Sequence, residues 1–325
     1  MFRIDDATAA NSLPAPEAAG TEGYFTEGNP ATGTPATNVR GSWLNMIQEE
    51  LRAIVIAGGG TPSKTTYNQV LTAIQALVAQ PSTNKVSGVV GQVRSLGMAV
   101  TTASASATLT ADEIVVESAL GGTRYCLPNF TKTINLATTG AGGMDAGSAP
   151  ASGFVALYAI YNPTTQTAAL LAQNASTLRA SVYAGANMPS GYTASALIGV
   201  WPTNGSGQFV VGYQVDRSLF LAPTTALTTS TQQASYTSLS IGAVVPLNAK
   251  SISGEVAINS STTASNACFL SGSANAIGEQ QINNGNGGIV GNFAIPLVTA
   301  QTLFYKATSS AGTMSLTIAI SGYTI

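Results

Sequence analysis

The chain has 325 residues, is 45% apolar and only 8% charged, and carries a net charge of −2 with no histidine. An ordinary soluble protein is about 25% charged and a disordered one is poor in apolar residues, so this is a folded, ion-poor chain whose polar surface is Ser, Thr, Asn, Gln and 34 glycines. Without histidine there is no Ser–His–Asp or Cys–His pair and no imidazole metal ligand, and without a Lys/Arg run a nucleic-acid partner is not expected.

Residues 1–35 read as an extended arm, because Pro14, Pro16, Gly20, Gly23, Gly28, Pro30, Gly33 and Pro35 oppose a helix. A helical hairpin is expected over 36–80. Val39, Trp43, Ile47, Leu51 and Ile54 fall on one helical face over about Thr37 to Ala57, and Gly58-Gly59-Gly60 stops that helix. Thr61 as N-cap with Pro62 at the first position predicts a second helix. Its stripe is Tyr67, Val70, Leu71, Ile74, Leu77 and Val78, ending before Pro81. Some forty residues of hairpin cannot bury both stripes alone, so a partner surface is expected.

A polar link near Gln80–Asn84 leads into β structure. The middle domain, 81–221, has strand signals at Thr108 to Val116, Phe154–Tyr161, Ala168–Leu171, Ala196–Trp201 and Gln208–Val215, with Asn204-Gly205-Ser206-Gly207 as a hairpin turn between the last two. A Pro/Thr-rich link, Ala222 to Thr231, opens a last domain, 222–325, with strands expected at Ser238–Leu247, Ile252–Ile258, Ala267–Ser271, Ile289–Val298, Thr302–Ala307 and Met314–Ile320. The expected fold is mainly β with a small helical N-terminal region and two β-sandwich-like domains. Cys126 and Cys268 read as two buried thiols rather than a disulfide.

No catalytic residue, metal or cofactor is expected, and the chain reads as a non-enzyme. Gly58-Gly59-Gly60 lacks the Gly-Lys-Ser/Thr ending of a phosphate loop. The carboxylates Asp112, Glu113 and Glu117 point to different faces, with Glu117 expected in solvent, and nothing brings Glu255 and Glu279 together as a glycosidase pair requires. The amide-rich Asn283-Asn284-Gly285-Asn286 segment reads as a turn or as an exposed recognition loop. Of the aromatic residues of the last domain, Tyr236, Phe269, Phe293, Phe304, Tyr305 and Tyr323, most are assigned to the core, the Phe residues above all. Of the neighbours Phe304 and Tyr305, Tyr305 is expected to face out. Asn283, Asn284, Asn286 and Tyr305 are therefore the candidate recognition contacts of this domain. No apolar run reaches the roughly 18 residues of a membrane helix, and Met-Phe-Arg-Ile-Asp-Asp lacks a secretory pattern, so synthesis in the cytoplasm without membrane insertion is expected.

The segments Phe25-Thr26-Glu27-Gly28-Asn29-Pro30, Trp43-Leu44-Asn45-Met46-Ile47-Gln48-Glu49-Glu50-Leu51 and Gly58-Gly59-Gly60-Thr61-Pro62 resemble the N-terminal attachment region of tail fibre proteins of tailed bacteriophages and prophages of Gram-negative bacteria. Thr133 to Asp145 and Ala156 to Pro163 are similar to the same proteins, and the resemblance spans roughly 20–217. It implies a homotrimeric, receptor-binding virion tail fibre. Trp43, Ile47, Glu50 and Leu51 would then serve attachment to the baseplate or tail tip, and Tyr67, Leu71, Ile74 and Leu77 oligomer packing. The C-terminal domain would meet a host glycan, pilus or outer-membrane protein. A tail-borne polysaccharide depolymerase and a passive baseplate adaptor or collar are the alternatives.

Overall fold

Two units separate in the computed structural model, Met1–Ser82 and Thr83–Ile325. Residues 1–79 and 88–325 are described, and the link read at Gln80–Asn84 lies outside them. The chain is mainly β, with two antiparallel sheets and two short helices near the N-terminus.

In the N-terminal unit, α1 spans Gly41–Ala57 and α2 Gln69–Ala79. The glycine run ends α1 as expected: Gly58 and Gly60 donate to the carbonyls of Ile54 and Val55, and Gly59 takes a φ of 78°. Gly58 also lets the helices approach, since a Cβ there would lie 2.6 Å from Ala73. The second helix does not begin at Thr61-Pro62. The Gln69 side chain binds back to the Ser63 amide and carbonyl, and Ser63 and Thr65 hydrogen-bond each other, so local side-chain bonds hold 61–68 out of the helix. Tyr67 therefore precedes α2 rather than belonging to its stripe. The arm holds one 3-10 turn, Pro30–Thr32, capped by the Asn29 side chain, and its end is tied to α1 by Arg3 on Glu49 at 2.5 Å.

The C-terminal unit starts with β1 (Val93–Arg94), β2 (Gly97–Val100), β3 (Ser106–Glu117) and β4 (Arg124–Asn135). β5 (Phe154–Asn162), β6 (Thr167–Asn174), β7 (Ala194–Pro202), β8 (Gly212–Val215) and β9 (Ser218–Thr229) follow. The rest are β10 (Gln233–Ser240), β11 (Ser251–Ser260), β12 (Asn266–Ser271), β13 (Gln280–Asn284), β14 (Ile289–Pro296), β15 (Thr302–Ser309) and β16 (Met314–Thr324). Twelve strands form one sheet, in the order β14-β11-β16-β9-β8-β2-β3-β7-β5-β6, with β1 and β4 also on β3. The second sheet is β10-β15-β12-β13.

The uninterrupted apolar run of β5 has a physical reason, because the strand is buried on both faces. Val155, Leu157 and Ala159 join the main core, while Ala156, Tyr158 and Ile160 pack under the 175–193 connection beneath Tyr183. The outer edge of β6 is not left open either. Gly142 and Asp145 donate to the carbonyls of Leu170 and Ala172, Ala172 donates to Gly143, and Asn135 at the end of β4 donates to Gly142. The ladder thus returns from β6 to β4, which protects an otherwise exposed edge.

Several readings of the sequence are corrected. The stretch 222–231 is not a link: most of it is β9, paired with β16 from Ser218↔Thr324 to Thr229↔Leu316. A single apolar core continues across it, and Tyr323 of β16 donates to the Val200 carbonyl of β7 at 2.7 Å. Asn204 to Gly207 does turn the chain back, with Thr203 paired antiparallel to Phe209 across it, but the pairing ends there, and β2 and β3 lie between β7 and β8 in the sheet. Glu117 is buried, not solvated, with Arg124 at 2.6 Å and the Gly121 amide at 3.1 Å compensating its charge. Cys268 is buried, but Cys126 is exposed and both thiols are free.

Candidate binding face

β11, β16, β9 and β14 place one face of the large sheet against β10-β15-β12-β13, with Val256, Ile318, Phe293, Leu270, Cys268 and Leu303 in the shared core. Alternation along the smaller sheet then decides what faces outward. In β15, Leu303, Tyr305 and Ala307 are buried, which leaves Phe304, Lys306 and Thr308 on the other side. Tyr305 is 5% exposed, so the receptor contact expected of it is withdrawn. Its place in the Leu303–Tyr305–Ala307 row puts it in the core, and Phe304 is the one turned outward. In β12, Cys268 and Leu270 point in and Phe269 points out.

The outward residues form a cross-strand group. Phe269 lies directly opposite both Lys306 and Gln281, and Ala267 opposite both Thr308 and Asn283. The Lys306 ammonium sits 4.1 Å from the Phe269 ring centroid and 4.9 Å from that of Tyr236, within the range of cation–π attraction. It is 3.8 Å from Glu279, and Glu279 accepts the Tyr236 hydroxyl hydrogen bond. Desolvation, and then this bond to a carboxylate, push the Tyr236 hydroxyl pKa well above its ordinary value. Only four charged side chains lie between Ser218 and the C-terminus, and this group holds two of them. Outer faces of sandwiches are ordinarily polar, so the aromatic rings here are the unusual feature.

Asn283 is exposed on this face. Asn284 is not free: its side chain closes the turn, bonding the Asn286 and Gly288 carbonyls and the Asn286 amide. Asn286 is exposed within that turn. Tyr236, Phe269, Lys306 and Gln281 were missed, the aromatics having been assigned to the core. A cation at the middle of an alternating aromatic strand was the signal available for them. Glu255 is exposed on β11 and Glu279 precedes β13, so the two carboxylates considered as a catalytic pair belong to different sheets. Among the described residues no group of three or more His, Cys, Asp or Glu side chains comes together.

In the N-terminal unit Trp43 packs edge-on against Phe25 at 5.0 Å and stays 41% exposed. Ile47 and Leu51 are half-buried and Glu50 is exposed. Tyr67, Leu71, Ile74 and Leu77 are all exposed. An open groove of about 760 Å³ runs between the arm and the helices, lined by Phe2, Ile4, Leu44, Ile47, Tyr67 and Val70 among others. No helix of the described residues is long and apolar enough to cross a membrane.

No protein-family model matches the chain. A stretch of 78 residues, 24% of the chain, is 45% identical to an uncharacterized protein, StfP, of Escherichia coli strain K12, and spans about a third (35%) of that protein's length. Among solved structures, a Cry1Da tryptic core variant of Bacillus thuringiensis aligns over 87% of this chain and 69% of its own, with 8% identity and a TM-score of 0.19. The mosquito-larvicidal Cry4Aa toxin of the same organism aligns over 71% of this chain and 52% of its own, with 9% identity and the same TM-score of 0.19.

Proposed function

We propose that the chain is a phage or prophage tail fibre protein, homotrimeric, attached to a tail or baseplate partner through its N-terminal unit. Its C-terminal unit binds a host-surface receptor with the outer face of the β10-β15-β12-β13 sheet. One observation carries this reading. Among the described residues of the N-terminal unit only Val55 and Ala73 are buried hydrophobics, while Trp43, Leu44, Leu71, Ile74 and Leu77 are exposed. Two amphipathic helices that bury so little are incomplete without other chains. The resemblance of the same segment to tail fibre attachment regions supports the assignment, and trimerisation would cover the stripes. Light scattering on the purified full chain is expected to give three chain masses, and the full chain should compete with phage for adsorption to host cells. A one-chain mass, or no competition by folded protein, would overturn the proposal.

A further inference from the structure

We propose that the Tyr236–Lys306–Phe269–Gln281 face, with Asn283 beside it, binds an uncharged saccharide. This rests on the receptor-binding reading and names the ligand class for it. The first argument is charge. Lys306 is the cation of this face, and it already has a carboxylate, Glu279, at 3.8 Å and two rings whose electron-rich faces lie 4.1 and 4.9 Å away. Glu279 is in turn held by the Tyr236 hydroxyl. The Lys306 and Glu279 side chains are 30% and 33% exposed, so a ligand meets both. An anion approaching Lys306 is repelled by the fixed carboxylate, and a cation approaching Glu279 by the ammonium. A neutral ligand meets neither penalty.

The second argument is hydrogen-bonding capacity. The side-chain amides of Gln281 and Asn283 are exposed and make no hydrogen bond to any described residue, and the half-buried Thr308 hydroxyl makes none either. Amides and hydroxyls both donate and accept, which suits a ligand whose own hydroxyls do both. Beside them Phe269, directly opposite Gln281, presents apolar carbon. A pyranose joins these demands in one molecule, with C–H groups on a ring face and hydroxyls around the rim. The strands hold the group in place before the ligand arrives, so little side-chain ordering is left for binding.

The test uses the full-length protein and measures retention on immobilised neutral oligosaccharides (gluco-, manno- and galacto-oligomers) and on oligogalacturonate. Retention on at least one neutral sugar is expected, changing less than about twofold between 50 and 500 mM NaCl because no net charge is exchanged. Gln281→Ala, on an exposed position that leaves the core intact, should weaken it at least about tenfold, a loss equivalent to one hydrogen bond made in a shielded site. Glu279→Gln leaves Lys306 uncompensated and should create salt-sensitive retention on oligogalacturonate. No retention on any neutral sugar, retention by the unaltered protein on oligogalacturonate alone, or full retention by Gln281→Ala overturns the inference. If the full chain still blocks adsorption in that case, the receptor-binding reading stands and only the ligand class falls.

Discussion

Gln214 shows how one amide holds an irregular piece of sheet. The pairing of β5 with β7 shifts between Leu157 and Tyr158, leaving Ile198 as the extra residue of a bulge. Its carbonyl, which the ladder cannot use, accepts from Gln214 at 2.7 Å, and Gln214 in turn accepts from the Trp201 indole at 2.8 Å. Gly199 fits beside it, because a Cβ there would lie 2.5 Å from the Gln214 oxygen. Replacing Gln214 by Leu keeps the volume but leaves the indole N–H unpaired in a buried site, so a loss of about 2–3 kcal/mol is expected in urea unfolding. The two thiols allow a second test. Desolvation and the neighbouring Glu113 push Cys126 up to about 11, and burial pushes Cys268 up to about 12, from an ordinary value of 9.0. The thiolate is the nucleophile, so at pH 8 the exposed Cys126 should alkylate roughly a hundredfold more slowly than a free thiol, and Cys268 only after denaturation. These raised values have a consequence for stability. The folded state keeps protons that the unfolded chain begins to lose near pH 9, so stability is full below that and falls as pH rises toward 11–12. A flat stability profile between pH 8 and 11 would contradict the assignment of these environments.

At the scale of elements, what the sequence disclosed depended on how many partners each element has. β5, β11 and β16 were legible because a buried strand shows either a continuous apolar run or strict alternation. α1 was legible from its stripe and glycine stop, whereas the start of α2 was not, because Thr61-Pro62 carries a helix-start signal that the Ser63–Gln69 bonds override. β4 and β9 were missed since each has exposed polar positions through much of its length. Ala222-Pro223-Thr224-Thr225 looks like a linker until its long-range partner β16 is known. Half of the candidate binding face was hidden for a similar reason: alternation gives two faces, and it does not say which of Phe304 and Tyr305 meets the large sheet. The continuity of β9 makes a prediction. A fragment starting at residue 223 would lose Ser218 to Ala222, and with them the pairing of Leu219 and Phe220 to Tyr323 and Gly322. It would also strip the Tyr323 hydroxyl of its Val200 acceptor. Circular dichroism is expected to show no cooperative melt for 223–325 and a cooperative one for 88–325. A sharp melt for the shorter fragment would mean that the last strands form a domain of their own.

For the whole molecule, the division of labour is one of buried surface. The C-terminal unit has a continuous apolar core, whereas the N-terminal unit leaves its helices largely uncovered. Association is therefore expected to reside in the N-terminal unit, and folding stability in the C-terminal one. On the proposed trimer, the chain starting at residue 88 should keep its cooperative melt but drop from three chain masses to one in light scattering. Its competition for adsorption should then weaken by about a hundredfold or more, because three linked faces give way to one. The loss should depend little on salt, since the exposed helical residues concerned (Trp43, Leu44, Leu71, Ile74 and Leu77) are apolar and apolar contacts are not screened. The result that would redirect the argument is a shortened chain that stays trimeric. Association would then lie within the C-terminal unit, where Tyr213 of β8 and Phe220 of β9 stand opposite each other, both about half exposed, with Val211 and Val215 on the same strand run. Phe220→Ser would separate the two cases. It leaves the mass unchanged if the helices hold the trimer together, and reduces it to one chain if this sheet face does.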